Sequence, residues 1–237
     1  MKLFDKIYNG FIKVFGDIKI YRFPMFILYD PGSYRVKGDD IREVLDLVKP
    51  GDILLRGYVN YLDGYIIPGF FSHAGLYIGE VKPEDATTLS PEQMKNFKAG
   101  KQIVIYSMAE GVFMEDVLNF CRCDYMMILR RDAAKESAQA QSYTFEMVFT
   151  QALKDLGLEY DFKFDFSDFH KLSCTELVYD ACKGFIEEYG IKPKARTVML
   201  MKKRLITPDD YANSPLTMVW KSRSIGDKQM KKIKKAK

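Results

Sequence analysis

The chain has 237 residues, of which 47% are hydrophobic and 14% are aromatic. This composition is typical of a globular protein with a full core, and it excludes a disordered chain. The formal net charge of +4 is mild, and most of the excess lies at the C-terminal end, so it does not by itself indicate nucleic-acid binding.

The four cysteines, Cys121, Cys123, Cys174 and Cys182, are too few and too unevenly spaced for a disulfide scaffold. They do not complete a zinc-binding pattern with histidine, and we predict no metal and no cofactor. We interpret them as reduced thiols of a cytoplasmic protein. The sequence contains no signal peptide pattern and no apolar run of about eighteen residues that would span a membrane.

Residues 1–36 are predicted to form an N-terminal extension with an amphipathic helix. Two interpretations stay open for its apolar stripe. The stripe packs on the main domain, or it lies in a membrane interface, since basic residues flank it. The stripe consists of Phe4, Ile7, Tyr8, Phe11, Ile12 and Phe15.

Residues 37–220 are predicted to form one α+β domain, because strand-like apolar runs alternate with helical patterns. A charged stretch between them, residues 81–101, contains two prolines and is predicted to be an exposed insertion. The predicted strands are residues 52–56, 70–79, 102–108 and 125–130, and the predicted helices are residues 39–47, 135–156 and 172–183.

The segment 172–183 has the clearest chemical pattern. Ser173 is a good N-cap and Glu176 follows three residues later, which is the pattern of a capping box. Cys174 therefore falls in the first turn of a helix, where the helix dipole and unpaired N–H groups favour a thiolate. We expect a lowered thiol pKa and a nucleophilic role, with a buried structural cysteine as the alternative.

A cysteine nucleophile needs a base, and the chain has only two histidines. His73 lies at the start of a predicted strand, between small residues that allow close approach. His170 lies four residues before Cys174, just outside the helix, where its side chain points away from the first turn. His73 is therefore the better candidate for the base.

Residues 221–237 carry nearly all of the excess basic charge and are predicted to be a disordered tail. The tail is either simply solvated or attracted to an anionic surface, such as lipid headgroups. Nucleic-acid recognition is not predicted, because the basic residues do not lie on a structured face.

Five motifs in this order resemble the YiiX/YaeF-type hydrolases. These are circularly permuted papain-fold proteins of the NlpC superfamily, which are also similar to the lecithin:retinol acyltransferases. The resemblance covers residues 37–185 and implies an antiparallel sheet packed against the helix that carries the nucleophile. The motifs are Lys49–Arg56, Phe71–Gly79, Val104–Val112, Leu156–Phe162 and Ser173–Val178.

The resemblance also implies roles for single residues. Cys174 matches the nucleophile of the family and His73 matches its base. Tyr160 and Asp52 match positions that bind substrate or the oxyanion, although Asp52 is equally suited to a structural role. We add Ser173 to this group, because the first N–H groups of the helix are suited to hold an oxyanion.

The third catalytic position is where the sequence departs from the family. The resemblance implies a histidine or glutamate in the strand 104–108, and this chain has Tyr106 there. A tyrosine stabilises an imidazolium less well than a carboxylate does. Glu110 is the substitute that we consider.

Together these features predict a thiol hydrolase that cleaves an amide or ester bond of a peptide, amide or lipid-acyl substrate through an acyl-enzyme. One alternative is an acyltransferase that acts on lipid substrates. Another is a catalytically silent adaptor that docks on membranes through its two ends, and Tyr106 is the feature that keeps it open.

Overall fold

The structure, a computed structural model, describes residues 19–21, 26–28, 34–59, 69–164, 166, 168–198 and 201–235. Its strands in these ranges are β1 (Lys19–Tyr21), β2 (Phe26–Leu28), β3 (Ile53–Gly57), β4 (His73–Val81), β5 (Gly100–Met108), β6 (Gly111–Asp116), β7 (Tyr125–Arg130), β8 (Lys194–Val198), β9 (Met201–Leu205) and β10 (Thr217–Lys221). Its α-helices there are α1 (Gly38–Leu47), α2 (Pro91–Met94), α3 (Val117–Phe120), α4 (Ala138–Gln141), α5 (Phe145–Asp155), α6 (Cys174–Cys182), α7 (Pro208–Ala212) and α8 (Asp227–Lys235).

Six strands form one sheet in the order β10-β7-β3-β4-β5-β6, and each neighbouring pair is antiparallel. The central strands β3 and β4 are buried along almost their whole length, as expected for strands covered on both faces. The predicted α+β fold with an antiparallel sheet is therefore confirmed.

Side chains alternate between the two faces of this sheet. On one face, Ala74 and Leu76 of β4 belong to the same core as Leu177 and Val178 of α6. On the other face, Tyr77 of β4 belongs to a second, smaller core with side chains of α1 and α3. Helix α6 is thus held against the centre of the sheet, which fixes the position of its first residue.

The structure tests the prediction for the C-terminal end of the chain but not the prediction for the N-terminal stripe. The stripe expected between Phe4 and Phe15 lies outside the described residues. Residues 221–237 are predicted to be a disordered tail, and the structure differs, because Lys221 ends strand β10 and residues 227–235 form helix α8. Two contacts of Ile233 hold this helix in place. Its side chain is buried, and its backbone carbonyl accepts a hydrogen bond from Asn213 Nδ2 at 2.7 Å.

None of the helices in the described ranges has the length and apolar content needed to cross a bilayer.

Candidate active site

Cys174 is the first residue of α6, as the capping pattern predicts. Ser173 has an extended backbone, and its N–H donates to the Glu176 carboxylate at 2.8 Å. The residue before it, Leu172, is tied to the sheet, because Ser107 Oγ of β5 donates to the Leu172 carbonyl at 2.5 Å. These two bonds set where the helix starts relative to β4 and β5.

The thiol of Cys174 is buried, with only 3% of the residue exposed. Burial raises its pKa to about 11. The nearby backbone N–H groups of Ala74 and Thr175 lower the pKa, but they do not offset the cost of removing a thiolate from water. The expected lowered pKa is therefore wrong for this structure: the thiol is neutral at pH 7.

His73 is the first residue of β4, directly beside Ala74, whose N–H reaches the sulfur. Its imidazole is packed edge-on to Tyr58 with 6.5 Å between ring centres, and its buried Nδ1 has no hydrogen-bond partner. Burial first, and the charge of Arg56 second, lower the pKa of His73 to about 3. The imidazole is therefore neutral at pH 7.

The structure brings Cys174 to the backbone next to His73, but not to its ring. Strand alternation puts His73 on the face opposite to Ala74, with Arg56 as its register partner in β3. Among the described residues, no hydrogen bond joins the imidazole to the thiol.

The two candidates for the third catalytic position make other contacts. The Tyr106 hydroxyl donates to Glu115, and its ring packs against Phe113 and Phe120. Glu110 is exposed in the turn between β5 and β6. Within the described part of the chain, neither forms a hydrogen bond with His73, so the structure provides no orienting partner of the predicted kind.

Asp52 lies apart from this site. Its carboxylate accepts two hydrogen bonds from the Arg130 guanidinium, both at 2.7 Å, and one from the Lys49 N–H at 2.8 Å. It precedes β3, whereas Arg56, the partner of His73, lies four residues further along. At about 3.3 Å per residue this separation is roughly 13 Å. These contacts favour the structural role for Asp52, and its role in substrate or oxyanion binding stays a prediction.

Ser173 and Tyr160, the other two predicted binding residues, also make contacts within the fold. The N–H of Ser173 is used by Glu176, so it does not donate to an oxyanion. Tyr160 is buried and packs against Phe162. The N–H of Leu172 donates to the Glu159 carbonyl at 2.9 Å, which holds the Tyr160 loop beside the segment that enters α6.

Arg56 is the residue that the sequence analysis missed. It is 3% exposed, and its Nε has no hydrogen-bond partner. The guanidinium carbon lies 4.5 Å from the ring centre of Phe120 and 4.7 Å from that of Tyr106. Nη2 donates to the Met108 sulfur at 3.2 Å. No carboxylate binds this cation among the described residues. The feature of the sequence that could have identified it is an arginine near the end of an otherwise apolar strand.

The charge of Arg56 acts on both candidate groups. It lowers the pKa of His73 and that of Cys174. A fixed positive charge favours the thiolate and disfavours the imidazolium. The site is therefore a neutral thiol, a neutral imidazole and a permanent buried cation.

Comparisons with known proteins agree with this architecture. The crystal structure of the metalloprotein yiiX from Escherichia coli O157:H7 is similar with a TM-score of 0.52 and 14% sequence identity. The similarity covers 74% of this chain and 98% of that one. At this identity it supports the fold alone. A search of curated proteins found no match.

The word metalloprotein describes that relative. Within the described ranges of this chain, no group of three or more histidine, cysteine, aspartate and glutamate side chains is placed to hold a metal ion. The residues described here therefore do not provide a metal site.

A family profile, described as permuted papain-like amidase enzyme, YaeF/YiiX, C92 family, matches residues 47–234. The match covers most of the chain, including the sheet, the loop before α6 and α6 itself. The chain belongs to this family of permuted papain-like amidases.

Proposed function

We propose that the protein is a cysteine amidase or peptidase in which Cys174 is the nucleophile and His73 is the general base. The observation that carries this proposal is the position of the thiol. It lies at the start of α6, and the backbone N–H of Ala74, the residue next to His73, is near enough to lower the pKa of the thiol. Membership of an amidase family supports an amide or peptide substrate.

The reaction starts from two neutral groups. His73 takes the thiol proton as the sulfur of Cys174 attacks the amide carbon, and the carbonyl electron pair moves to oxygen. When the tetrahedral intermediate collapses, the C–N bond breaks and the leaving amine takes the proton from the imidazolium. Water then attacks the thioester, with His73 as base, and releases the acid and the thiol.

The negative charge that develops during attack needs stabilisation. The first N–H groups of α6 have no acceptor within the helix, and the N–H of Cys174 itself is the donor that we assign to the oxyanion. The Tyr160 hydroxyl is the second donor in this proposal. Arg56 adds a fixed positive charge in a site that excludes water, where its field is strong.

A catalytically silent binding module is the second candidate, and one observation favours it. The thiol is buried with a raised pKa, and among the described residues no hydrogen bond joins it to the imidazole, whose Nδ1 has no partner. A pKa of about 11 in place of 9 reduces the thiolate fraction at pH 7 roughly a hundredfold. A protein of this kind would keep the fold while Cys174 remained inert.

The experiment that separates these candidates combines turnover with covalent trapping. Peptide p-nitroanilides and peptide esters are incubated with the full chain, and acyl adducts on each cysteine are measured by mass spectrometry. We expect an adduct on Cys174 and turnover that disappears in Cys174→Ala and in His73→Ala. Cys182→Ala is the matched control, because Cys182 is a buried thiol on the same helix.

Two results would contradict the hydrolase. One is equal turnover in wild type and Cys174→Ala across the panel. The other is the absence of any acyl adduct on Cys174, even with activated esters at pH 9. Either result would support the silent module, provided that circular dichroism shows the protein to be folded.

A further inference from the structure

The short helix α7 contacts the segment that leads to the proposed base. Its residue Asp209 is 1% exposed, and the carboxylate accepts the backbone N–H of Phe70 at 2.5 Å and that of Phe71 at 2.9 Å. Phe71 lies two residues before His73, the first residue of β4. One buried carboxylate therefore binds the backbone that enters the strand of the base.

The close approach of Asp209 to this segment requires a glycine. Gly69 has a φ of +140°, a conformation that residues with a side chain rarely adopt. A Cβ at this position would lie 2.7 Å from Oδ2 of Asp209, closer than two non-bonded heavy atoms normally approach. The following N–H, that of Ser72, donates to the Arg56 carbonyl at 3.1 Å. Three successive N–H groups thus have acceptors just before His73, which fixes its backbone.

The other side of α7 contacts the helix of the proposed nucleophile. Tyr211 is fully buried, and its hydroxyl donates to the Thr175 carbonyl at 2.9 Å. Thr175 directly follows Cys174 in the first turn of α6. Residues two apart on a helix point about 200° away from each other, so Asp209 and Tyr211 reach opposite sides of α7. Helix α7 therefore connects the start of β4 to the start of α6.

Asp210, between these two residues, anchors α7 itself. Its carboxylate accepts the N–H and the hydroxyl of Thr207, both at 2.8 Å, at the start of the helix. It also pairs with Lys194 at 3.0 Å and with Arg196 at 2.7 Å, both on β8. A helix of five residues is not stable alone, so these contacts determine where Asp209 and its neighbours lie.

We propose that Asp209 and Tyr211 are positioning residues: Asp209 sets the backbone of His73, Tyr211 sets that of Cys174, and α7 fixes the distance between the two. This role rests on the proposed function, because it concerns the alignment of its base with its nucleophile. A misplacement of about 1 Å can lower a rate roughly a hundredfold. Substrate binding does not depend on this alignment, so the loss should appear in kcat and not in KM.

The ionisation of Asp209 makes this role dependent on pH. Burial raises the pKa of Asp209 to about 6, against the two backbone N–H groups that lower it. The other charged groups that face it are Asp210 of α7, which raises the pKa, and Arg196 of β8, which lowers it. A protonated carboxyl is a weaker acceptor, because one oxygen carries the proton. We therefore expect kcat to step down about tenfold as pH falls from 7 to 5, whereas the His73 imidazole stays neutral over this range.

Stability changes in the opposite direction. Because the pKa of Asp209 is raised from 3.8 to about 6, the folded chain binds this proton more readily than the unfolded chain does. The contribution of this group to stability therefore increases as pH falls from about 6 towards 4. A loss of kcat over that range is not caused by unfolding at Asp209, which separates positioning from a purely structural role.

The test measures kcat and KM of the full chain between pH 5 and pH 8, on the peptide ester or p-nitroanilide that the wild type turns over. Asp209→Asn keeps one acceptor oxygen and does not titrate. Its kcat at pH 8 should fall about tenfold with KM within about twofold of wild type, and the step near pH 6 should disappear. Asp210→Asn is the matched control, a buried carboxylate on the same helix, and should lose stability but keep the step. If Asp209→Asn does not fold, Tyr211→Phe decides, with kcat lower by about fivefold and KM unchanged.

A second measurement separates failure of this role from failure of the hydrolase. In protein with ¹⁵N-labelled histidine, the His73 resonances should shift as pH passes through about 6 in wild type and not in Asp209→Asn. An inert wild type that shows this shift would refute the hydrolase and retain the positioning role. A step that persists in Asp209→Asn, and so belongs to another carboxyl such as Glu176, would overturn the positioning role. Unchanged kcat in Tyr211→Phe or a His73 resonance that does not respond to Asp209 would also overturn it.

Discussion

The two ends of strand β3 carry buried charges with opposite surroundings. At one end, Asp52 has a partner for each oxygen, with two hydrogen bonds from Arg130 and one from the Lys49 N–H. At the other end, Arg56 is equally buried but contacts aromatic rings and the sulfur of Met108. Both residues belong to, or directly precede, the same strand of one sheet.

This difference separates a structural charge from a functional one. A buried ion pair with complete hydrogen bonding stabilises the fold once it is formed, and the loss of one partner is costly. A buried cation without a carboxylate costs folding free energy, and such groups are concentrated at functional sites. Arg56 lies beside His73. The Arg56 end of the strand is therefore where we place catalysis.

The largest effect is expected for His73→Ala at the Arg56 end. Loss of the general base should lower kcat/KM on a peptide p-nitroanilide about a thousandfold, because no other described residue takes the thiol proton. Thermal stability should fall moderately, because the ring is buried and its removal leaves a cavity, so kcat/KM is measured on the folded protein. His170→Ala, at an exposed histidine, is the control, and equal rates in the two variants would refute the assignment.

Asp52→Ala, at the other end of the strand, should lower stability and leave activity nearly unchanged. Arg130 loses its partner, and the Lys49 N–H loses its acceptor, so the free energy of unfolding should fall by about 2–4 kcal/mol. Urea unfolding measures this change. The kcat/KM of the folded fraction should stay within about threefold of wild type. A large loss of activity in stable Asp52→Ala protein would show that Asp52 takes part in the active site.

Arg56→Met tests the cation itself. Removing the charge should raise the pKa of His73 from about 3 towards 6.5, although burial still lowers it. The base must be neutral to act, so the acid limb of kcat/KM should move to higher pH. NMR of ¹⁵N-labelled histidine measures the shift directly, with the exposed His170 as internal reference.

The same substitution has a consequence for stability. Because the pKa of His73 is lower in the folded state, its contribution to stability is lost as pH falls from about 6.5 towards 3. In Arg56→Met the pH range over which this stability is lost should be narrower, because the pKa of His73 in the folded state moves closer to its unfolded value. Arg56→Lys keeps the charge and should behave like wild type in both measurements. An unchanged His73 titration in Arg56→Met would show that burial alone sets the pKa.

The central strands and α6 could be predicted because their signals are local. Apolar runs predicted β3, β4, β5 and β7, and the Ser173–Glu176 pattern placed Cys174 at the first residue of its helix. Strand β10 was missed, because its place at the edge depends on pairing with β7 across the chain. Helix α8 was missed because its only strong apolar anchor is Ile233.

The chemistry of the site was less accessible from sequence. A first-turn cysteine suggests a thiolate, but its protonation depends on how deeply the sheet buries it, which is a tertiary property. The partner of Tyr106 is Glu115, nine residues away across the β5–β6 hairpin. The role predicted for Tyr106 followed from its place in the family pattern. The contact with Glu115 depends on how β5 and β6 pair, which that pattern does not specify.

The smallest effects are expected for Glu110→Gln and Tyr106→Phe. Glu110 is exposed in a turn, so its substitution should leave kcat/KM within about twofold of wild type. Tyr106→Phe removes the hydroxyl that donates to Glu115 and should reduce the free energy of unfolding by about 1 kcal/mol. Because this hydroxyl does not bind His73, the pH profile of kcat/KM should not move. A shifted acid limb in Tyr106→Phe, with Glu115→Gln unchanged, would show that Tyr106 orients the imidazole during turnover.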